Sequence, residues 1–240
     1  MTCILAIDSS SAWCSVALGI DDQEPLLLHE KLSAGASQHL LPWIENLLKK
    51  AQIDLQSLDA IAVGVGPGAF TGVRLGVAVV QGLAIAANLP VLPIVSLDGI
   101  AAQLVQKPQF SAAKPSRFMV AVDARMDEVY WAHYQITALG LPVRLGDVSV
   151  SSPDDVPLDG IQFIAGNAIG EFGNRLLSHS GQPFSADQLD ADIGISAIGI
   201  LTCGQISWAK GLAQDIHLLE PLYVRNKVAF TAQERKQVAH

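Results

Sequence analysis

The sequence predicts a globular α/β protein with two lobes built on one plan. Three observations support this prediction: a strand–turn–strand pattern that occurs twice, a strand–helix–strand unit between the two copies, and an apolar composition. Of the 240 residues, 50% are hydrophobic and only 16% are charged. That is enough apolar material for one large core or two smaller ones.

The charge and cysteine content indicate a cytoplasmic protein that does not bind nucleic acid tightly by itself. The formal net charge of −8 repels a phosphate backbone. The three cysteines, Cys3, Cys14 and Cys203, are far apart, without a C-x-x-C pair, which favours reduced core residues. The N-terminus lacks the basic segment of a signal peptide. The longest apolar stretch, near 73–87, contains Arg74 and is predicted to be a buried helix, not a membrane span.

A short apolar run that ends in aspartate occurs twice, as CILAID at 3–8 and FMVAVD at 118–123. In each copy a polar turn follows, and a second strand-like run begins, at 13–20 and at 128–136. Each copy is typical of a β-hairpin with an aspartate at its turn. Buried strands also end in aspartate by chance, but a hairpin repeated in register indicates a duplicated lobe.

Between the hairpins the sequence predicts two helices and two strands. The first helix starts near Ser37, whose hydroxyl can cap free N–H groups, and extends to about residue 51. Its apolar residues follow a 3.6-residue period: they are Leu40, Leu41, Ile44, Leu47, Leu48 and Ala51. A strand at 59–65, a helix at about 71–87 and a strand at 90–96 form a βαβ unit, so part of this sheet should be parallel.

The rest of the pattern completes the second lobe and returns to the first. A strand at 161–165 and a helix at about 167–179 precede a polar loop. We expect the last helix to pack on the first lobe and a docking segment to follow it. The expected division is a first lobe at 1–104, a second lobe at 105–193, a return helix at about 194–212 and a C-terminal docking tail at 213–240.

The motifs of common catalytic centres are missing from the sequence. There is no H-E-x-x-H pattern and no G-x-S-x-G nucleophile turn, so we expect no metal, cofactor or catalytic residue. The Gly-rich segment 64–72 follows a strand and opens a helix, the setting in which backbone N–H groups bind phosphate. It lacks the lysine of a P-loop, however, and its glycines can instead serve a tight turn and the close approach of another helix.

The helix at 71–87 is apolar on almost every side, with Arg74 and Gln81 as its only clearly polar residues after Val73. The sheet of its own lobe can cover one face only. The helix at 37–51 and a second protein chain would have to cover the rest. The sequence therefore predicts a partner interface on these two helices, at Leu40, Leu41, Ile44, Leu48, Phe70, Val73, Arg74, Val77 and Val80.

Four stretches carry a family resemblance: ILAIDSS at 4–10, GVGPGAFTGVRLG at 64–76, VDARMDEVYW at 122–131 and EPLYVRNKVA at 220–229. In these stretches the chain resembles the TsaB (YeaZ) family of bacterial tRNA threonylcarbamoyladenosine biosynthesis proteins. The resemblance implies an actin-like (ASKHA, RNase H-like) α/β fold of two lobes, with duplicated mixed sheets flanked by helices. It also implies a non-catalytic subunit that binds the catalytic subunit TsaD together with the ATPase TsaE. A homodimer would use the same helical surface, and tRNA would be met only through the complex.

Active proteins of this superfamily bind ATP between the lobes, at hairpin turns that carry aspartate with glycine nearby. Here Asp8 is followed by Ser9 and Ser10, and the turn after Asp123 also lacks glycine. The resemblance therefore implies a vestigial nucleotide site at Asp8, Ser9, Ser10 and Asp123.

Two functions remain open at this point. TsaD carries an H-x-x-x-H metal motif, whereas the matching positions here are Ser96 and Ile100, and isoleucine cannot ligate a metal. This favours the non-catalytic subunit. The alternative is an actin-like phosphotransferase or ATPase that holds Mg-ATP with Asp8 and Asp123. A protease is a more distant alternative, because no nucleophile or metal site emerges.

Overall fold

The first sheet has five strands in the order β3-β2-β1-β4-β5. It is seen in a computed structural model, which describes residues 2–32, 35–178, 180–181 and 183–225. Strand β1 pairs antiparallel with β2 and parallel with β4, so the sheet is mixed. The strands are β1 (Cys3–Asp8), β2 (Trp13–Ile20), β3 (Leu26–Lys31), β4 (Ala60–Gly66) and β5 (Val91–Val95).

The second sheet repeats this plan with the strand order β10-β9-β6-β7-β8. The β6–β7 hairpin corresponds to the β1–β2 hairpin, and β6 pairs parallel with β9 as β1 does with β4. The strands are β6 (Arg117–Arg125), β7 (Glu128–Ile136), β8 (Pro142–Ser151), β9 (Ile164–Ala165) and β10 (Leu189–Asp190). The prediction of two duplicated mixed sheets is confirmed.

The described part of the chain has seven α-helices, which lie on the outer faces of the two sheets and between them. Helices α1 and α2 cover the outer face of the first sheet, and α5 and α6 cover part of the outer face of the second. Helices α3 and α7 lie between the two sheets. The helices are α1 (Ala36–Ala51), α2 (Phe70–Ala87), α3 (Ser96–Leu104), α4 (Pro108–Ala113), α5 (Ala168–Phe172), α6 (Asn174–Leu177) and α7 (Ala197–Ala209).

One apolar core joins the two lobes. It contains Ile4 from the first sheet, Phe118 and Tyr134 from the second, and Ile100 and Ile200 from the helices between them. Helix α7 contacts β1, β2, β4 and β5, whereas α3 contacts both α7 and the second sheet. The angle between the lobes is therefore set by buried side chains as well as by the connecting chain.

Several helix boundaries differ from the sequence prediction. Helix α1 begins at Ala36, one residue earlier than expected. The residue before it, Gly35, has a positive φ of 86°, and no side chain caps the helix. Ser37 is therefore inside the helix and not its cap. The helix predicted at 167–179 is two short helices, because Gly173 between them has φ 50° and ψ −123°, a conformation that favours glycine. Strands β3 and β8 and helix α3 were not predicted.

The closest approach of α3 and α7 requires glycine at position 199. A Cβ added to Gly199 would lie 2.1 Å from the carbonyl oxygen of Gly99. Because a backbone atom blocks that position, Gly199→Ala should lower the free energy of unfolding by at least about 2 kcal/mol. Gly170→Ala in α5 is a matched control, since a Cβ there meets nothing within 4 Å. The control should change stability by less than about 1 kcal/mol. Urea unfolding of both variants checks this, and equal stabilities would contradict the packing argument.

Candidate functional site

A cleft of about 560 Å³ lies between the lobes. Its walls come from the turns of both hairpins, the Gly-rich loop before α2, the start of α3, the segment before α7 and the last described residues of the chain. One part of the lining is apolar and includes Leu97, Ile100, Val122 and Ile195. This is the place where the sequence predicts a vestigial nucleotide site.

Asp8 lies beside the cleft but has no exposed surface. Its carboxylate accepts hydrogen bonds from the backbone N–H of Ser10 at 2.9 Å and from the Ser10 hydroxyl at 3.0 Å. The Ser96 hydroxyl in turn donates to Ser10 at 3.2 Å. Burial raises the pKa of Asp8 from its ordinary value of 3.8 to about 7, and the bonds from Ser10 oppose that shift only in part.

The Gly-rich loop closes over the β1–β2 turn. The N–H of Ala69 donates to the Ser10 carbonyl at 2.6 Å, and the Ser9 hydroxyl donates to the Gly72 carbonyl at 2.8 Å. A Cβ on Gly68 would lie 2.2 Å from the Ser10 carbonyl oxygen, and one on Gly72 would lie 1.9 Å from that of Ser9. The glycines therefore serve close packing, as one of the two interpretations held, but against a hairpin turn and not against another helix.

These contacts leave little that fits a magnesium nucleotide. The Asp8 carboxylate is enclosed, with its Oδ2 so close to Gly64 that a Cβ there would lie 2.0 Å away. One N–H of the loop, that of Ala69, is already bonded to the Ser10 carbonyl. In the part of the chain that the structure describes, no group of three or more His, Cys, Asp and Glu side chains could hold a metal ion.

The β6–β7 turn forms the opposite wall. Asp123 accepts a hydrogen bond from the N–H of Arg125 at 2.7 Å and pairs with the Arg125 guanidinium at 3.0 Å. Arg125, Met126 and Asp127 all have positive φ values, near 60°, a conformation that is costly for Arg125 and Met126 and better tolerated by Asp127. Arg175 helps to hold this turn, since its guanidinium donates to Asp127 at 2.6 and 2.9 Å.

The last described residues, 219–225, cross the mouth of the cleft, and we refer to them as the strap. On the first lobe, Gln81 donates to the Leu219 carbonyl at 3.2 Å, and the N–H of Leu222 donates to the Val65 carbonyl at 2.8 Å. On the second lobe, the Arg225 guanidinium pairs with Glu128 and donates to the carbonyl of residue 124 at 3.1 Å. The strap thus ties the lobes together. Of the predicted docking tail at 213–240, residues 226–240 lie outside the described residues.

One residue of the strap meets the exposed start of α2. The Tyr223 hydroxyl accepts two hydrogen bonds from Arg74, at 3.0 and 2.9 Å. The Arg74 guanidinium also stacks over the Phe70 ring, 3.6 Å from its centre. Phe70 and Tyr223 remain 46% and 53% exposed. The sequence indicated Phe70 and Arg74, but not Tyr223.

The structure revises the predicted partner interface on α1 and α2. Five of the nine side chains lie in the core of this chain and cannot form an interface: Leu40, Ile44, Val73, Val77 and Val80. Leu41 is 51% exposed, Phe70 and Arg74 are exposed, and Leu48 is half-buried. The sequence analysis was therefore wrong about which face of α2 the sheet leaves uncovered.

The exposed face of α2 is a ridge of mostly small side chains. Its members are Thr71, Arg74, Ala78, Gly82, Ile85 and Ala86. Helix α2 is long and apolar enough to cross a membrane by composition alone, but its opposite face is packed on the first sheet, as in the core helix of a globular protein. The spacing of residues 74, 78, 82 and 86 could have signalled this ridge in the sequence.

Comparison with known proteins agrees with this architecture. The family model of TsaD, described as tRNA N6-adenosine threonylcarbamoyltransferase, matches residues 30–148. The chain is 32% identical over 231 residues to the tRNA threonylcarbamoyladenosine biosynthesis protein TsaB of Escherichia coli K12, covering 95% of this chain and 96% of that protein. The TsaB protein of Haemophilus influenzae is 30% identical over 233 residues, 95% of each chain. YeaZ from Pseudomonas aeruginosa superposes with a TM-score of 0.79 at 35% identity, over 93% of this chain and 100% of that chain.

Two mixed sheets of one plan, with helices α3 and α7 between them, define an actin-like protein of the ASKHA class. Within that class, the chain belongs to the TsaB family of tRNA threonylcarbamoyladenosine biosynthesis proteins. The expectations of the fold and of the family are thus confirmed.

The enclosed carboxyl of Asp8 should make stability depend on pH. Between the unfolded pKa of 3.8 and the folded pKa of about 7, the unfolded state loses this proton while the folded state keeps it. The contribution of Asp8 to the free energy of unfolding therefore falls as the pH rises. Asp8→Asn removes the effect, so its stability relative to the parent should improve by roughly 2 kcal/mol from about pH 5 to pH 8.

Chemical denaturation at several pH values measures this difference. Asp22→Asn, at an exposed turn residue, controls for the loss of one negative charge. A stability difference for Asp8→Asn that stays constant over this pH range would show that the carboxyl is ionised in the folded state.

Proposed function

We propose that this chain is a non-catalytic, cytoplasmic subunit required for threonylcarbamoyladenosine modification of tRNA. In this proposal it binds and supports the catalytic subunit TsaD, together with the ATPase TsaE, and it meets tRNA only through the complex. The observation that carries the proposal is the exposed ridge of α2, at the middle of which a Cβ added to Gly82 would meet nothing within 4 Å. The proposal also keeps the expected lobes at 1–104 and 105–193.

The ridge suits contact with another helix. Ala78, Gly82 and Ala86 are spaced by four residues and so form one row along the helix. A Cβ on Gly82 would meet nothing within 4 Å, so the fold of this chain gives no reason for glycine there. Small side chains allow two helix backbones to approach closely and gain many van der Waals contacts. Exposed apolar residues on both helices, Leu41 of α1 and Ile85 of α2 at 63% exposure, extend the surface.

A second copy of this chain presents the same ridge. We propose that a homodimer forms through this surface as well, since a twofold axis brings one patch against itself. The homodimer and the heterodimer with TsaD would then compete. TsaE would join where both subunits are present.

The cleft supports a role without catalysis. The Asp8 carboxyl is enclosed, and the cleft that the strap crosses is lined mainly by apolar surface. The family model of a threonylcarbamoyltransferase matches residues 30–148, a span that includes α1, α2 and the β6–β7 hairpin. This relation is consistent with a non-catalytic relative that pairs with the enzyme it resembles.

The ridge can be blocked without disturbing the fold. Gly82→Leu places a large side chain on the exposed face, where an added Cβ meets nothing within 4 Å among the described residues, and it improves helix propensity. We expect the Kd for purified TsaD to rise at least about tenfold, with a melting temperature equal to or above that of the parent. Calorimetric titration and light scattering measure binding and dimer formation.

Two matched variants control this experiment. Gly170→Leu makes the same substitution at another open glycine, on α5 of the second lobe, and should bind TsaD normally. Leu41→Glu charges α1 at an exposed position and should weaken binding. Val77→Glu is unsuitable, because Val77 is only 4% exposed and a buried charge would unfold the protein. Normal binding by both Gly82→Leu and Leu41→Glu would remove α1 and α2 from the interface.

The alternative, an actin-like phosphotransferase or ATPase, makes an opposite prediction. If the chain is a non-catalytic subunit, titration of the isolated chain with Mg-ATP should give no binding at micromolar concentration and no release of phosphate. Asp8→Asn should behave identically, because the enclosed carboxyl takes no part. Phosphate release by the isolated chain that is lost in Asp8→Asn would contradict the non-catalytic subunit and favour the enzyme.

A further inference from the structure

The exposed start of α2 carries a cation that the fold does not account for. In the part of the chain that the structure describes, Arg74 pairs with no carboxylate: its partners are the Tyr223 hydroxyl and the Phe70 ring. It stands in the first two turns of α2, where the helix dipole is positive and no acidic residue offsets it. A positive charge at that end disfavours the helix. Helix stability is therefore not a reason for arginine at this position.

The side chain is nevertheless held in one orientation. Phe70 supports one face of the guanidinium by stacking, and Tyr223 accepts bonds from Nε and Nη2 at 3.0 and 2.9 Å. The Nη1 group has no partner among the described residues, and Arg74 is exposed. An arginine fixed in this way has lost most of its rotamer freedom before binding, so little further entropy is lost when it meets an anion.

Arg74 also lies in line with the ridge. It precedes Ala78, Gly82 and Ala86 by successive steps of four residues, so it stands at one end of the row. From residue 74 to residue 86 the row spans about 18 Å, roughly three turns of a helix lying along it. Tyrosine, arginine and phenylalanine together are the residue types of interface hot spots.

We propose that Arg74, fixed between Phe70 and Tyr223, is an anchor for a carboxylate on a helix of the partner protein that packs along the ridge. The proposal rests on the proposed function and adds the chemistry of one contact. The partner helix carries an aspartate or glutamate at the end that meets Arg74, and small or apolar residues along the rest. A planar guanidinium can donate two parallel hydrogen bonds to such a carboxylate. Tyr223 is a positioning residue, which links this contact to the strap.

The test compares the affinity of variants for purified TsaD at several salt concentrations. Arg74→Gln should weaken binding about tenfold or more and reduce its salt dependence. Arg74→Lys keeps the charge but loses the fork and the stacking on Phe70, so it should recover only part of the affinity. Tyr223→Phe keeps the ring and removes the acceptor, and should weaken binding several-fold. Lys210→Gln, which removes an exposed charge at the end of α7, should leave the affinity unchanged.

The outcomes separate this inference from the proposed function. If Arg74→Gln binds TsaD like Lys210→Gln while Gly82→Leu is impaired, the anchor is overturned and the ridge interface stands. If Gly82→Leu also binds normally, the interface itself is overturned. If Arg74→Gln leaves TsaD binding intact but weakens binding of tRNA to the isolated chain, the anion is a nucleic-acid phosphate, and the proposed carboxylate contact is wrong. Circular dichroism of each variant confirms that it is folded.

Discussion

The contact between the Gly-rich loop and the β1–β2 turn determines most of what is distinctive in this protein. Backbone atoms of Ser9 and Ser10 occupy the space that side chains at Gly68 and Gly72 would need. Because the loop closes on the turn, Asp8 is shut off from the cleft, and a loop N–H binds a carbonyl of the same chain. The same contact fixes where α2 starts and therefore which of its faces points away from the sheet.

Helix α2 carries small residues on two faces, and the reason for small residues differs between the two faces. Gly76 and Ala84 belong to the inner face, where Gly76 lies against the Ser9 hydroxyl. Gly82 and Ala86 belong to the outer face, displaced by two residues, or about 200° around the helix. The inner glycines are required by contacts within the chain, whereas Gly82 meets nothing. A helix built in this way joins a folded lobe on one side and can receive another helix on the other.

The sequence was informative where periodicity is strong and where the element is long. The two hairpins and the βαβ unit could be predicted because their strands are buried apolar runs. Strands β3 and β8 were not predicted, because each lies at a sheet edge and is largely half-buried or exposed. Their alternation of apolar and polar residues is therefore weak. Helix α3 is buried on most sides and too short for its 3.6-residue period to stand out.

The site was harder to predict than the fold, for a related reason. An almost uniformly apolar helix has no polar face to mark its exposed side, so the sequence assigned Val73, Val77 and Val80 to the interface. The hairpin turn that orients α2 is distant in the sequence: Ser9 of the turn bonds to Gly72 of the helix, more than 60 residues later. Tyr223 was missed because its partner Arg74 is distant in the sequence, and only the folded chain brings the strap across the cleft.

A ridge of glycine and alanine would suit the exchange of partners that we propose for this chain. It exposes little apolar area: on α1 and α2 the exposed large apolar side chains are Leu41, Phe70 and Ile85. In the proposed complex, its binding energy would arise mainly from close backbone approach, which a helix of matching shape can reach. Helix α2 itself has no acidic residue, so a pair of like ridges would bring two copies of the Arg74 cation into one interface without a carboxylate from either α2. A partner helix that supplies a carboxylate next to Arg74 would gain a contact that the α2 ridge of a second copy cannot make, and the proposed competition would then favour the heterodimer.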